Sequence, residues 1–402
     1  MRFFLKSFLL FFLNSCQAQD QIEINESTLP IIKEEQKIVT GAEQINIYLS
    51  LLKNKTVGIV ANQTSIINDT HLVDSLLSHK ISIKSVYSPE HGFRGDADAG
   101  EKVDSEKDDK TGIAIVSLYG KNKKPTKEQL NAIELMLFDI QDVGARFYTY
   151  ISTLHYVMEA CAENEIPLIV LDRPNPNGHY VDGPVLDMKF TSFVGMHPIP
   201  IVHGMTIGEY AQMINGEGWL KNEVSCDLTV ISCLNYNHAT KYKLPVAPSP
   251  NLRSDASIAL YPSLCLFEGT VISEGRGTPF PFECFGHPQL PKSNYPFEFT
   301  PQPSFGAKNP KLKGELCYGK KLTKTGNKGL NALNLAWLID AYNAIETTDF
   351  FITKNRWFDL LAGNSQLRRD IIAGKTEAEI RASWQDELTK FKIIRSKYLI
   401  YE

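Results

Sequence analysis

From about residue 41 onward, the chain repeats one kind of unit: a short and almost uniformly apolar segment, a polar loop marked by glycine or proline, and usually a helical pattern. Strands that are apolar on both faces and alternate with helices are typical of a parallel sheet covered on both sides. The pattern therefore predicts an α/β protein with a Rossmann-like parallel sheet. The predicted strands are residues 56–61, 81–87, 113–118, 135–140, 167–171 and 199–202.

The composition changes near the prolines at residues 245–250. Beyond them the chain has its own glycine-rich segment, and helical patterns dominate its C-terminal part. We therefore assign residues 41–250 to a Rossmann-like N-terminal domain and residues 251–402 to a smaller α/β C-terminal domain. The last apolar residues, 398–401, are predicted to form a closing strand.

The N-terminus carries two basic residues around a short apolar run, which is typical of a secretory signal peptide and too short to span a bilayer. We predict a signal peptide over residues 1–18, followed by a polar tether over residues 19–40. The sequence before Cys16 resembles a bacterial lipobox, so Cys16 is a candidate for lipidation. Cleavage after Ala18 is the alternative. Either way the protein is predicted to be exported to the periplasm or cell envelope, with a lipid anchor at Cys16 as its one possible membrane contact.

Charge and motifs exclude several classes of function. The formal net charge is -4, which gives no electrostatic basis for binding nucleic acid. No strand leads into a G-x-G-x-x-G turn, and there is no Walker A loop, so no cofactor is predicted. The six cysteines beyond the signal form no C-x-x-C pair, and most are expected to be small buried hydrophobic residues.

The loop after the second predicted strand concentrates groups that can transfer protons or bind a ligand: Glu90, His91, Arg94, Asp96 and Asp98. In open α/β sheets, ligands bind at the carboxyl ends of the strands. A glutamate at such a position is well placed for general acid or base catalysis. The alternative is a structural ion pair between Glu90 and Arg94.

Other loops after predicted strands are rich in amide, carboxylate, guanidinium and aromatic groups, which suit a saccharide because they can bind hydroxyls and cover C–H faces. With His91 and Arg94, the candidate substrate-binding residues are Asn62, Gln63, Asp139, Gln141, Asp142, Arg146, Tyr148, Arg173, Asn175, His203, Ser273, Glu274 and Arg276.

Structural alternatives exist for several of these residues. Asp142 and Arg146 have the i, i+4 spacing of an ion pair. Asn175 lies in a proline turn where asparagine is common. Glu274 and Arg276 are spaced to close a glycine-rich turn with an ion pair.

A second glutamate, Glu268, also follows an apolar stretch. Two carboxyl groups among sugar-binding side chains, without a cofactor motif, suit hydrolysis of a glycosidic bond: one protonates the leaving oxygen and the other acts as nucleophile or base. Two alternatives remain open. One is a metal-dependent hydrolase with ligands drawn from Glu90, His91, Asp96, Asp98 and His203. The other is a non-catalytic cell-wall sugar-binding lipoprotein.

Several long strings resemble the NamZ family of bacterial exo-β-N-acetylmuramidases, and the resemblance covers nearly the whole chain from about residue 41. They are Ala61–Ser65 (ANQTS), Ser88–Gly95 (SPEHGFRG), Asp139–Tyr150 (DIQDVGARFYTY), Leu171–Gly178 (LDRPNPNG), Pro248–Asn251 (PSPN) and Phe267–Thr278 (FEGTVISEGRGT).

The resemblance implies an enzyme that removes a non-reducing terminal N-acetylmuramic acid from peptidoglycan fragments, in a cleft between a Rossmann-like domain and a smaller one. It implies Glu90 and Glu268 as the catalytic carboxyl groups. The lactyl carboxylate of such a substrate needs a cation, for which Arg146, Arg173 and Arg276 are the candidates.

Overall fold

The computed structural model describes residues 36–95, 107–345 and 347–401. The predicted signal peptide, Cys16 and most of the predicted tether lie outside these residues, as do Asp96 and Asp98.

The described chain from Ile38 onward belongs to one compact unit. In the described part of the chain, no helix combines the length and the apolar character needed to cross a membrane. The six cysteines beyond Cys16 are all buried and carry free thiols.

Eleven strands and twelve α-helices make up the described fold. The strands are β1 (Thr56–Ala61), β2 (Ile66–Ile67), β3 (Thr70–His71), β4 (Ser82–Ser88), β5 (Ala114–Ser117), β6 (Leu135–Asp139), β7 (Leu168–Leu171), β8 (Leu228–Ile231), β9 (Cys284–His287), β10 (Phe297–Phe299) and β11 (Cys317–Lys321). The helices are α1 (Ile45–Leu52), α2 (Leu72–Ser78), α3 (Lys127–Leu130), α4 (Tyr150–Glu163), α5 (Ile207–Gly216), α6 (Asp255–Leu264), α7 (Thr323–Gly326), α8 (Ala336–Ala344), α9 (Trp357–Ala362), α10 (Gln366–Ile372), α11 (Glu377–Ala382) and α12 (Gln385–Arg395).

Six parallel strands form the main sheet in the order β5-β4-β1-β6-β7-β8. Counted along the chain, these six strands have the spatial order 3-2-1-4-5-6, which is the Rossmann order. The predicted Rossmann-like parallel sheet is therefore confirmed. The chain crosses over in opposite directions on the two sides of the β1–β6 pair, so loops after neighbouring strands separate there and leave a crevice at the carboxyl edge.

Side chains of the buried strands alternate between two apolar clusters. In β6, Leu135 and Leu137 belong to one cluster, and Met136 and Phe138 belong to the other. The first cluster includes side chains of α1 and α2, and the second includes side chains of α4 and α5. Because both faces of the strand are buried, its sequence is continuously apolar rather than alternating.

One predicted strand was wrong. Residues 199–202 are buried but do not form a strand. Their β-pairing consists of isolated bridges from Val202 to Ala145 and to Asp182. The sixth strand is instead β8, at the edge of the sheet, where only one of its four residues is fully buried. An apolar run indicates that a segment is buried. An edge strand is partly exposed, so it can form without an apolar run.

The C-terminal lobe contains a small antiparallel sheet in the order β10-β11-β9, together with helices α6 to α12. This confirms a second, smaller α/β unit. Its buried residues Phe267, Phe350 and Phe358 belong to the same apolar cluster as side chains of α4 and α5. The two lobes therefore share one continuous core on that face of the main sheet.

The C-terminal segment closes the fold without forming the predicted strand, because residues 398–401 have irregular structure. The Tyr401 hydroxyl donates to the Asp172 carboxylate (2.6 Å) and accepts from the Cys233 backbone N–H (2.8 Å). Burial raises the pKa of Asp172 to about 6, although hydrogen bonds from Tyr401 and Thr206 act against this shift. Side-chain contacts, rather than sheet pairing, hold the chain end in place.

A fully buried ion pair joins the ends of two central strands. Arg173, just after β7, donates to Asp139 at the end of β6 through Nε (2.6 Å) and Nη2 (2.9 Å). Arg173 Nη2 also donates to the Ile66 carbonyl (2.9 Å). Such a pair adds little to the free energy of unfolding compared with apolar residues of the same volume. Removing one partner, however, leaves an unpaired charge in the core.

We expect Arg173→Met to lower the free energy of unfolding by about 3–5 kcal/mol, because the Asp139 carboxylate would stay buried without its cation. Denaturant unfolding followed by circular dichroism measures this change. The matched control is Glu387→Gln, which breaks an ion pair with Lys390 whose two side chains are more than half exposed. The control should leave the midpoint nearly unchanged, and equal effects of the two substitutions would contradict the assignment.

Candidate active site

A pocket of about 280 Å³ lies where the loops after β4, β5 and β6 meet the C-terminal lobe. We call it the central pocket. It contains both predicted catalytic glutamates, Glu90 from the N-terminal lobe and Glu268 from the C-terminal lobe. Much of its wall is aromatic, from Phe147, Tyr148, Tyr150, Phe193, Tyr261, Phe282 and Trp357.

Glu90 is presented by a tight turn directly after β4. The Gly92 N–H donates to the Pro89 carbonyl (3.3 Å), and His91 has a left-handed φ of 75°. A non-glycine residue in this conformation is uncommon and is often found at functional sites. Glu90 and His91 both line the central pocket.

Two tyrosines lie next to Glu90. Tyr119, which follows β5, lines the pocket, and the Tyr150 hydroxyl donates to the Glu90 carbonyl (3.4 Å). Burial raises the pKa of Tyr119, and the charge and hydrogen bonding of the Glu90 carboxylate raise it further. Tyr119 is therefore a protonated donor toward Glu90 at neutral pH.

Glu268 is placed by the end of α6. This helix continues into a 3-10 turn, Cys265–Gly269, which carries Glu268 at the pocket wall. Lys311 Nζ donates to the carbonyls of Phe267 (2.7 Å), inside that turn, and of Ile272 (2.5 Å), just beyond it. Lys311 therefore ties the turn that carries Glu268 to the segment that follows it.

Arg276 joins Glu268 to a buried layer behind the pocket wall. Its Nη2 donates to Glu268 Oε1 (2.7 Å), its Nε lies 3.4 Å from Glu274 Oε1, and its guanidinium lies 5.0 Å from the centroid of the Phe282 ring. Burial would raise the pKa of Glu274, but Lys311 at 2.8 Å and Arg276 outweigh it and lower that pKa. Arg276 is thus held on two sides, and Glu268 is oriented by it.

Two other candidate residues, Gln63 and Tyr148, hold the segment that links the lobes. Gln63 Nε2 donates to the carbonyls of Ala247 (3.1 Å) and Pro248 (3.2 Å), and the Tyr148 hydroxyl donates to the Pro248 carbonyl (2.8 Å). The next residue, Ser249, lines the pocket. Tyr148 also lines the pocket, so it is the one of this pair that a ligand there can touch.

Asn62, Gln141 and Asn175 organise loop backbone near the carboxyl edge of the sheet. The Asn62 Oδ1 accepts from the Thr64 backbone (2.9 Å), Gln141 Nε2 donates to the Pro174 carbonyl (2.7 Å), and Asn175 Nδ2 donates to the Met205 carbonyl (2.9 Å). None of the three lines the central pocket.

The remaining candidates also contact one another or the backbone outside the pocket lining. Asp142 lies 3.5 Å from His203, and Ser273 accepts from the Gly275 N–H (3.3 Å). Arg94 pairs with Asp108 (2.7 Å) and Asp74 (3.3 Å), which connects the Glu90 loop to neighbouring segments. Asp139 and Arg173 form the buried pair described above.

Arg146 is fully buried, and backbone carbonyls accept its hydrogen bonds: those of Pro184 (2.9 Å), Ile199 (2.8 Å) and Leu361 (2.9 Å). Burial lowers its pKa to about 9. It therefore ties the loop after β6 to α9 in the C-terminal lobe. A Cβ at Gly363 would lie 2.5 Å from its Nη2, so that position has room only for glycine.

The pocket therefore brings together Glu90, His91, Tyr148, Glu268 and Arg276 of the predicted residues. The sequence analysis missed Tyr119, although it follows a strand end as Glu90 does. It also missed Tyr150, which lies in a predicted motif. Phe193, another missed lining residue, lies on an irregular segment without a sequence motif, whereas Ser249 lies in the PSPN string but was not named as a site residue.

No group of three or more His, Cys, Asp or Glu side chains is arranged to hold a metal ion within residues 36–95, 107–345 and 347–401. The metal hypothesis drew its ligands from Glu90, His91, Asp96, Asp98 and His203, of which Asp96 and Asp98 lie outside the described residues. The structure places His203 next to Asp142, and His203 does not line the central pocket.

Comparison with known proteins assigns a family. The model of the N-terminal domain of exo-beta-N-acetylmuramidase NamZ matches residues 57–256, and that of the C-terminal domain matches residues 259–401. The chain is 40% identical over 385 residues to the peptidoglycan beta-N-acetylmuramidase NamZ of Bacillus subtilis (strain 168), covering 91% of this chain and 92% of that protein.

This chain belongs to the NamZ family. Two crystal structures of DUF1343 family proteins from Bacteroides fragilis NCTC 9343 have a similar fold. One is 46% identical with a TM-score of 0.83, and the other is 28% identical with a TM-score of 0.78; each comparison covers 91% of this chain and 99% of the other. In this NamZ-family member, Glu90 lies in the part matched by the N-terminal domain and Glu268 in the part matched by the C-terminal domain.

We expect Glu274→Gln to destabilise the protein by about 3 kcal/mol at pH 7, because Lys311 and Arg276 lose a buried carboxylate. The pKa of Glu274 is lowered by folding, so its stabilising contribution is present above the unfolded pKa of about 4.3 and is lost as the pH falls through the folded pKa. Unfolding measured from pH 7 to pH 3 should therefore show the two proteins converging below about pH 4.

The control for this measurement is Glu315→Gln, which removes an exposed carboxylate from the same lobe. A difference between wild type and Glu274→Gln that stayed constant with pH would mean that the charge of Glu274 does not stabilise the fold.

Proposed function

We propose that this protein is an exo-acting glycoside hydrolase that releases non-reducing terminal N-acetylmuramic acid from peptidoglycan fragments, with Glu90 and Glu268 as its catalytic carboxyl groups. The observation that carries the proposal is their meeting in one pocket, each from a different lobe. The proposed activity and substrate are those given in the names of the family and of the Bacillus subtilis relative.

The chemistry follows from two carboxyl groups on one pocket. One donates a proton to the glycosidic oxygen as the bond breaks, and the other stabilises the positive charge that develops on the sugar, either by attacking it or by activating a water molecule. Arg276 keeps the Glu268 carboxylate oriented, and Tyr119 and the turn after β4 do the same for Glu90. Fixed orientation of reacting groups is a major source of rate enhancement.

The size and lining of the pocket support removal of single terminal sugars. Its volume of about 280 Å³ is just below the roughly 300–1,000 Å³ of typical ligand pockets, and it suits one sugar residue rather than a stretch of glycan. Aromatic side chains can cover the C–H faces of the ring, while the few polar groups orient it.

The direct test incubates the purified protein with a disaccharide of N-acetylmuramic acid linked β-1,4 to N-acetylglucosamine, with and without a chelator, and separates the products by chromatography. We expect both monosaccharides, in amounts that the chelator does not change. Binding of the disaccharide without product would instead favour a non-catalytic sugar-binding protein, and loss of activity on chelation would favour a metal-dependent hydrolase.

Glu90→Gln and Glu268→Gln should each lower kcat by about 10²–10⁴, the usual contribution of a catalytic acid or base. Glutamine keeps the size of the side chain, so thermal stability should change little. The control is Glu223→Gln, an exposed residue of the N-terminal lobe. Near-normal turnover by either active-site variant would remove that glutamate from the mechanism.

We further propose that the N-terminal segment directs export and that Cys16 carries a lipid. The support is the sequence pattern of residues 1–16, which lie outside the described structure. Mass spectrometry of the mature protein from its native membrane fraction should find a lipidated Cys16 as the first residue. An unmodified N-terminus near Gln19 would mean cleavage after Ala18 and no anchor.

A further inference from the structure

The sugar in the proposed substrate carries a carboxylate on its lactyl group, so a pocket for it needs a cation that is not already paired. The three arginines predicted for this role are engaged. Arg173 is paired with Asp139, and Arg146 is buried with its hydrogen bonds taken up by backbone carbonyls. Arg276 lines the pocket, but its guanidinium is held by Glu268 and Glu274.

Another cation lies next to one of the residues that line the pocket. Lys123 Nζ is 4.2 Å from the centroid of the ring of Phe193, which lines the central pocket. In the described part of the chain, no carboxylate is ion-paired with Lys123, and the side chain is half-buried. An ammonium on an aromatic face keeps N–H donors for another partner.

The loop that carries Lys123 is fixed at both ends. Tyr119 at its start lines the pocket, and Lys124 at its end pairs with Glu159 and Glu163 on α4 (2.6 Å each). Between them, Asn122 Nδ2 donates to the Ser117 carbonyl (3.0 Å). The loop therefore starts at the pocket wall, and the position of Lys123 next to Phe193 follows from these anchors.

Phe193 is fixed as well. The Ser152 hydroxyl of α4 donates to its carbonyl (2.8 Å), and two backbone hydrogen bonds between Ser192 and Gly195 close the turn around it (2.9 and 3.0 Å). The ring of Tyr156 is nearly parallel to the Phe193 ring, with centroids 6.3 Å apart. The cation and its aromatic platform are thus a preformed pair.

We propose that Lys123 binds a carboxylate on the 3-O substituent of the sugar and so selects acidic sugars over neutral ones. This rests on the function proposed above. The 3-O substituent is on a different ring carbon from the glycosidic bond, so its carboxylate is separate from the group that Glu90 and Glu268 act on. The carboxylate comes either from the free lactyl group or from a short acidic peptide attached to it.

The test compares kcat/KM for three disaccharides: one with a free lactyl carboxylate, one with the lactyl group as its neutral methylamide, and one with a short acidic peptide in amide linkage. Lys123→Met should lower kcat/KM for the free acid by about tenfold, the effect expected for one charge-assisted hydrogen bond, and leave the methylamide unchanged. The control is Lys121→Met, an exposed lysine of the same loop, which should change none of the three.

A loss confined to the peptide-bearing substrate would place the carboxylate on the peptide and keep the role of Lys123. Equal losses on all three substrates, or no loss on any, would overturn the proposal. Calorimetric binding of free N-acetylmuramic acid and its methylamide provides a readout without turnover. Lys123→Met should weaken binding of the acid alone by about tenfold, so the role of Lys123 is decided even if the wild type cleaves none of the disaccharides.

Discussion

The carboxyl ends of parallel strands leave backbone groups that no neighbouring strand pairs, and in this protein buried side chains pair them. Asn62, Gln141 and Asn175 bond to loop backbone, and the Arg173 guanidinium reaches both Asp139 and the Ile66 carbonyl. Buried polar groups must be satisfied in this way because an unpaired one costs as much as a lost hydrogen bond. The result is a rigid polar layer at the edge of the sheet, on which the Glu90 turn and the aromatic wall of the pocket are built.

The pocket also depends on how the two lobes are joined, since each supplies one glutamate. Three contacts cross between them near the site: Arg146 to the Leu361 carbonyl, Tyr148 to the Pro248 carbonyl of the linking segment, and the shared apolar core. Arg146 is unusual because it is a fully buried cation bonded to carbonyls, and its lowered pKa reflects that cost. Such a residue is retained where it fixes a geometry that apolar packing alone would leave adjustable.

The sequence predicted the parallel sheet, because its apolar strands end in polar loops. It also predicted that Glu90 and Glu268 belong to one site, although Glu268 lies on the 3-10 turn after α6 rather than at a strand end. The strand prediction was wrong where burial and strand pairing do not coincide. Residues 199–202 are apolar but are not a strand of the main sheet, whereas edge strand β8 is only partly buried. Most of the polar loop residues that the sequence predicted to bind substrate do not line the central pocket. A loop that pairs backbone groups and a loop that binds sugar use the same amides and carboxylates, and only tertiary contacts separate the two roles. Lys123 has no local motif, and its place beside Phe193 depends on anchors far away in the chain.

The proposed arrangement uses two kinds of cation, and charge balance explains why. Arg276 lies on Glu268 at 2.7 Å, and its planar guanidinium suits a carboxylate whose orientation must be fixed. If the same guanidinium also bound the carboxylate of the substrate, it would leave Glu268 misoriented during the reaction. A lysine on an aromatic face is a point charge with rotatable donors, which suits a flexible substituent of variable position. Separate cations for the catalytic carboxylate and for the substrate carboxylate therefore allow the protein to bind an acidic sugar next to two acidic side chains without disturbing either.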